Sequence, residues 1–503
     1  MKTFLKATVI TLTILSGVTY YGCDKSNLDL LPHGPTEQSF FTQESDFQKA
    51  VYGVYAKIND VYWYNGDANA STMPIYLLPG DDITTNQSNE EFEQFGSIQP
   101  SSGRVSYFYT VLYQLNARAN VLLEKINNVA DGIYVTPNLK EYNKGEALFL
   151  RGYAYFNLWN YFGTSPLDTV RVISTDQFTP PNTTGTQLLD QAISDFTEAA
   201  GLLPQSWDDA NRGRVSKNSA YGMLGKSLVF RASATNNNAD YTAAIAAFNN
   251  ITGISLIPKF DDNFASDAEN NNESLFEYQA TQAFGFDNVW LSNDFDNAVG
   301  NMSVFWGYYD NNYALFGKSP FYGTNKLLNA FDPADPRLPL TIDPADRTVK
   351  KYVSRDKIGT SGVGSTNNPR ILRYADVLLL KAEAVLQSGG STAEAIGLIN
   401  QVRTRARDMV AGGTAPANYS TAETNKTTIM NWIINERLLE LAGEGQRWID
   451  LRRWQIEGVI SLDNNFFSSN TSTMSFQLPK HLNLPIPNSE IDVNPNVVQN
   501  PGY

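Results

Sequence analysis

LKEYNKGEALFLRGYAYFNLWNYF, residues 139–162, is the stretch that decides the fold. Ala147, Leu150, Ala154 and Leu158 fall on one helical stripe, and Leu148, Tyr155, Trp159 and Phe162 fall on a second. A helix with one apolar stripe packs on one side. A helix with two packs on two sides, as a member of a stack of helical hairpins does. Gly163 to Pro166 ends it. Just upstream, Phe108, Leu112, Leu115, Ala119, Leu122 and Ile126 recur at helical steps, which predicts a partner helix over residues 105–129.

The same reading places helices at 185–203, 216–234, 239–252, 370–387, 392–407, 427–442 and about 446–455. An earlier one spans 44–60, with Phe47, Val51, Val54, Tyr55 and Ile58 on one stripe. Three pairs stand out, 105–162, 216–252 and 370–407, the last turning at Gly389-Gly390-Ser391. Helices paired through short turns suggest tetratricopeptide-like hairpins, although the pairs do not keep the period of about 34 residues of a regular array. Residues 255–368 differ. They are rich in Asn, Asp, Gly, Phe, Tyr and Trp, keep no period, and read as loops and short strands. The tail, 479–503, reads as extended and proline-rich. The fold class is mainly α, with helical hairpins at about 105–252 and 370–455 and a loop-rich part at about 60–104 and 255–368.

The N-terminus carries an address. Lys2 and Lys6 precede a short apolar run, ATVITLTILSGV (7–18), and Gly22-Cys23 follows. The run is too short for a stable bilayer span. Cys23 is the only cysteine of 503 residues, so no intrachain disulfide is possible. A lone cysteine at that junction reads as the acylation site of a bacterial lipoprotein, where two or more acyl chains hold a protein on a membrane. Residues 1–22 are then a signal peptide, 23–35 a lipidated tether and 36–503 a single domain. The membrane is reached through the lipid anchor only.

Composition narrows the chemistry. With 38 Lys and Arg against 52 Asp and Glu, the formal net charge is −14. That balance argues against nucleic acid, which needs clustered cations, and suits a neutral ligand. The two histidines, His33 and His481, sit in the tether and the tail, so no HExxH zinc site is possible and a Ser-His-Asp triad has little to draw on. No metal site and no cofactor is expected. The Gly359–Gly364 cluster lacks the lysine of a phosphate-binding loop and reads as a surface loop. Two facing carboxylates would suffice for a glycosidase, and the sequence leaves that open. The charge-dense Glu436–Trp454 reads as an internal ion-pair network that locks the last helices, and Asp335-Pro336-Arg337 as a turn that fixes a loop.

The aromatic, amide-rich loops are the candidate binding surface. Trp63, Tyr64 and Asn65 follow a helix; Trp290 lies in FDNVWLSNDFDN; Trp306, Tyr308 and Tyr309 lie in VFWGYYDNNY. Flat rings cover the apolar faces of sugars while amides hydrogen-bond the hydroxyl rim. The alternative is that these rings pin long loops onto the helical body.

The C-terminal third carries a more specific signal. RYADVLLLKAEA (373–384) leads into INQVRTRA (399–406), then Glu436-Arg437, Glu440, Gly445, Arg447 and DLRR (450–453), and the chain closes with PIPNSEI (485–491) and QNPGY (499–503). With the lipoprotein start and Asp335-Pro336-Arg337, this ordered set resembles the SusD/RagB family of outer-membrane nutrient-binding lipoproteins, over essentially the whole mature chain. The resemblance implies an α-fold of four tetratricopeptide-like hairpins with a loop-rich ligand-binding half. It implies display on the outer face of the outer membrane, with a SusC-like TonB-dependent transporter as partner and a carbohydrate as ligand, captured and delivered rather than cleaved. Three alternatives stay open: a surface-anchored glycosidase, a relative that binds peptide or another nutrient, and a ligand-free scaffold.

Overall fold

The computed structural model describes residues 40–62, 72–86, 90–174, 177–280, 321–352, 367–468 and 473–503. Its contacts divide the chain into Met1–Asp46 and Phe47–Tyr503. In the first unit the Asp46 carboxylate accepts from the Thr42 backbone N–H at 3.3 Å. The second unit holds the helices and strands that follow, except Glu44–Asp46, the first three residues of the first helix.

The helix expected over 44–60 is two helices, α1 (Glu44–Ala56) and the single turn α2 (Ile58–Val61). The break comes at Lys57. Its N–H bonds only three residues back, to Val54, and its buried ammonium is held by Asp60 at 2.5 Å and Gln114 at 2.9 Å. Short elements follow: α3 (Met73–Leu77), β1 (Ile83–Thr85) and α4 (Glu91–Gln94). Then come the long helices α5 (Gly103–Asn127), α6 (Leu139–Phe162) and α7 (Gln187–Leu202). Both stripes of α6 are buried, one side meeting α5 and the other α7. Gly152 allows the second approach, because a Cβ there would stand 3.1 Å from Asp195 and Phe196.

Helices α8 (Lys217–Thr235) and α9 (Asn238–Asn249) pair next, and α8 also lies against α7. Ser216 and Ser219 form a reciprocal capping box at the start of α8. The block after α9 supplies β2 (Ser274–Glu277), β3 (Phe321–Gly323) and the short helices α10 (Asn325–Ala330) and α11 (Leu338–Thr341). Past it lie β4 (Arg370–Arg373), α12 (Tyr374–Gln387), α13 (Thr392–Asp408), α14 (Lys426–Leu441), α15 (Arg447–Glu457) and α16 (Asn488–Val493). The chain is mainly helical, and the three helix pairs read from periodicity pack as pairs.

Two expectations need correction. Residues 370–373 are a strand, not the start of a helix: β4 pairs antiparallel with β2, and the helix begins only at Tyr374. Pairing with a distant strand overrides local helical spacing. The tail is not wholly extended. It contains α16 and folds back on α6, where Asn500 donates to the Phe162 carbonyl at 2.8 Å and the Leu484 N–H to the Tyr161 carbonyl at 2.6 Å. Those bonds satisfy carbonyls that a helix end leaves open.

Candidate functional site

The sequence-derived candidates Trp63, Tyr64, Asn65, Trp290, Trp306, Tyr308 and Tyr309 lie outside the described residues, as do Cys23 and the Gly359–Gly364 cluster. The described residues do fix where those aromatic segments leave and rejoin the body. Thr72 donates to the Val61 carbonyl at 2.9 Å, which brings together the two ends flanking 63–71. The Tyr278 hydroxyl donates to Asn59 at 2.7 Å, placing α2 beside the chain that leads into 281–320. The Ala280 N–H donates to Asn368 at 2.7 Å, and the Tyr278 N–H to the Pro369 carbonyl at 3.1 Å. The end of 353–366 therefore rejoins at the same place. β1 pairs with β3, and Asn86 donates to the Tyr322 hydroxyl at 3.4 Å, which gathers the start of 87–89 and the end of 281–320.

These roots stand on a tyrosine cluster. The Tyr62 ring stacks on Tyr76 with centroids 5.3 Å apart, and its hydroxyl lies 2.6 Å from that of Tyr153. Burial pushes the Tyr153 phenol up to about 12 and raises Tyr62 and Tyr76 well above the usual phenol value, so all three stay protonated and act as neutral hydrogen-bonding groups.

Beside the roots lies a cavity of about 280 Å³, whose walls include Tyr52, Tyr55, Ile58, Arg214, Phe276 and Gln279. Its support comes from α6. Glu146, fully buried, accepts from Arg214 Nε at 2.8 Å, from Arg214 Nη2 at 2.6 Å and from the Tyr55 hydroxyl at 2.9 Å. The Val215 N–H donates to the Tyr55 hydroxyl oxygen in turn, at 2.9 Å. Burial raises the Glu146 carboxyl, opposed by the hydrogen bond and charge of Arg214. Gln279 is fixed by a reciprocal amide pair with Asn270, at 2.7 and 3.0 Å. Gly213 has φ +92°, and a Cβ there would collide with the Gln279 amide, so this position needs glycine on both counts.

Behind the roots the charged stretch Glu436–Trp454 is the internal network expected of it. Arg337 donates to Glu436 at 2.7 Å and Glu440 at 2.8 Å while its other edge grips Asp335. Arg373, on β4, reaches Glu273, Glu440 and Glu444 at 2.7–2.9 Å. A second cluster links Lys226, Asp376, Arg437, Asp450, Arg453 and Glu383. His481 is a core residue. It packs against Phe95 and Phe476, accepts from the Gln477 N–H at 2.9 Å, and is lowered to about 4 by burial.

Among the described residues lining the cavity, Tyr52, Arg214 and Gln279 carried no sequence signal strong enough to select them. Tyr55 was read only as core. The available clues were Glu146 directly before the apolar run Ala147–Leu150 and Arg212-Gly213-Arg214 in a turn.

Comparison with known proteins places this arrangement. A family model described as the SusD family matches residues 231–503, more than half of the chain. The chain belongs to the SusD family. A second model, described as starch-binding associating with outer membrane, matches residues 28–228. The SusD-like protein P2 of Formosa agariphila is 26% identical over 547 residues, covering 99% of this chain and 100% of that protein. A solved laminarin-binding SusD-like protein superposes with a TM-score of 0.72 at 23% identity, covering 92% of this chain and 100% of its own. Surface glycan-binding protein A from Bacteroides uniformis superposes with a TM-score of 0.71 at 22% identity, covering 91% and 99%. These likenesses establish the SusD fold across nearly the whole chain. Among the described residues, no helix is long and apolar enough to cross a membrane.

Proposed function

We propose that this SusD-family chain is a lipoprotein of the outer membrane, exposed to the exterior, that captures a glycan and passes it to a SusC-like TonB-dependent transporter. Residues 1–22 are the signal peptide, Cys23 the lipidated residue, 23–35 the tether and 36–503 one binding domain. The observation that carries the reading is a shared root: segment 63–71, bearing Trp63–Asn65, and segment 281–320, bearing Trp290 and Trp306–Tyr309, leave the body beside each other, where Tyr278 bonds to Asn59 and Ala280 to Asn368. Aromatic side chains on segments rooted together suit a sugar chain, which takes several weak stacking contacts. The starch-binding family matched by residues 28–228 and the laminarin-binding structural neighbour support the same ligand class.

Capture rather than cleavage is favoured by the cavity. Glycoside hydrolysis takes two carboxylates about 5–10 Å apart across a cleft. Among the described residues lining the cavity, Glu277 is the one acid. It is already engaged by Arg370 at 3.3 Å, Asn368 at 2.9 Å and the Asn270 N–H at 3.1 Å.

The test is affinity electrophoresis of the chain lacking residues 1–23 against a panel of soluble neutral polysaccharides, starch and laminarin among them. Trp63→Ala, Trp290→Ala and Trp306→Ala run alongside. Retardation by one polysaccharide, lost in at least one variant that keeps its circular dichroism spectrum, is expected. No retardation across the panel would remove the glycan reading. Cys23→Ser in the full chain should abolish radiolabelled palmitate incorporation, and the wild-type chain should co-purify with an outer-membrane barrel.

A further inference from the structure

The turn between α7 and α8, residues 205–216, separates two cavities. One is the cavity of about 280 Å³ beside the loop roots. The other, about 420 Å³, lies across the turn and is walled by Trp207, Asn218, Thr252, Asn270 and Asn272 among others. Both are bounded by Arg212, Gly213, Arg214, Phe276 and Glu277. Sharing these walls, the two adjoin along the turn as one trough, with Gly213 close against Gln279 at its smaller end.

The walls of this trough are fixed in advance. Arg214 spends its N–H groups on Glu146 and on Asn211, the latter at 2.7 Å. Its flat face is covered by an aromatic ring. Its guanidinium carbon lies 3.9 Å from the centre of the Trp207 ring and 5.6 Å from that of Tyr52. Trp207 is held by its indole N–H on the Val215 carbonyl at 2.9 Å and by the edge of Tyr142. Tyr52 is 40% exposed, a large ring left facing solvent at the cavity wall. Groups held this way lose little freedom when a ligand arrives, so more of each contact appears as affinity.

Ring faces and neutral amides dominate the lining: Tyr52, Trp207, Gln205, Asn270, Asn272 and Gln279. The one acid is buried and paired, and the one exposed cation, Arg212, is paired with Asp209 at 2.6 Å. An anionic ligand would find one solvated cation, Arg212, and would have to compete with Asp209 for it. An uncharged, hydroxyl-rich chain with apolar faces does find matching partners. Each cavity is near the lower end of the roughly 300–1,000 Å³ of ligand pockets, and the adjoining pair suits a chain rather than a single ring.

We infer that the α7–α8 turn is a second saccharide subsite, which grips the part of a neutral oligosaccharide that extends beyond the aromatic loops. This rests on the glycan reading above and adds to it a preference for chain length. The test compares short and long oligosaccharides cut from whichever polysaccharide the panel retains, by isothermal titration calorimetry. Tyr52→Ala removes the exposed ring. Ala210→Trp, on an exposed position of the turn, fills the trough without touching the core. The wild-type chain should bind the long chains more tightly than the short ones, and both variants should lose roughly ten-fold on the long chains with the short ones unchanged. Trp63→Ala, Trp290→Ala and Trp306→Ala should weaken both. Variants that match the wild type at every length, or a wild type indifferent to length, would overturn the subsite while leaving the glycan reading in place. Retention of no polysaccharide would remove both.

Discussion

Arg373 and Arg214 both hold buried carboxylates, but their surroundings differ. Arg373 sits in a lattice where Glu273, Glu440 and Glu444 are shared with Arg405 and Lys351 and little solvent reaches any of them. Arg214 holds a single carboxylate, Glu146, and one flank of it opens onto a cavity lined with rings and amides. The first lattice ties β4 to α14 and thereby fixes the place where the segments before and behind β2 and β4 are rooted. The second shapes a surface. The same ion pair thus serves as frame where it is many-fold and sealed, and as a support for contact where it is single and open. A sealed lattice is weak evidence for net stability, because desolvation cancels much of the attraction, but removing one member leaves the others uncompensated.

That contrast can be broken at its strong end first. Arg373→Ala should cost about 3–5 kcal/mol in urea denaturation, since three buried acids lose their common cation. A loss below about 1 kcal/mol would mean the lattice is not the frame.

The next effect is a pH dependence at the edge of the lattice. Burial raises the Asp81 carboxyl, but the charges of Arg447 and Lys326 prevail and hold it at about 2. Its neighbour Asp82 is raised by burial to about 6, although the Gly443 N–H partly offsets this. Asp82 therefore costs stability when ionised. The cost is present above about pH 6 and disappears as pH falls from 6 towards 4, whereas the contribution of Asp81 is lost only as pH falls from about 4 towards 2. Lowering pH from 7 to 4 should gain the wild type roughly 2 kcal/mol relative to Asp82→Asn. Parallel stability–pH curves for the two proteins would contradict this.

At the open end, Glu146→Gln should cost less, about 1–3 kcal/mol, because it leaves a single cation, still bonded to Asn211 at the cavity wall, rather than several charges in a sealed lattice. The same variant should weaken binding of long oligosaccharides by freeing Arg214 and Tyr55. The smallest effects separate packed from open helix positions. Gly225→Ala on α8 drives a Cβ into Phe248 of α9 and should destabilise by about 1–2 kcal/mol. Gly201→Ala on α7 meets nothing within 4 Å and should stabilise by about 0.5–1 kcal/mol.

The helical pairs were legible because their signal is local: α5 and α6 display apolar residues at steps of three and four, and burial follows those steps. Glu436 and Glu440 were legible for the same reason, one helical turn apart on α14, and Glu444 by its spacing before Arg447 and Arg453, although it lies in the turn past the helix end. The strand β4 was not, because its partner β2 lies about a hundred residues away and helical spacing runs straight through 370–373. Nor was the Glu146–Arg214 support, whose two halves are 68 residues apart. The aromatic segments could be nominated by composition alone, and their roots emerged only from the pairing of strands that the sequence leaves unpaired.

The central claim is that this SusD-family chain holds a neutral glycan without cleaving it. The most direct measurement incubates the purified chain lacking residues 1–23 with the polysaccharide it retains, following retention and newly formed reducing ends in the same sample. Retention with no rise in reducing ends, lost together with the loop tryptophans, is the expected result. A steady release of reducing ends that survives further purification would contradict the account and make the molecule a glycosidase.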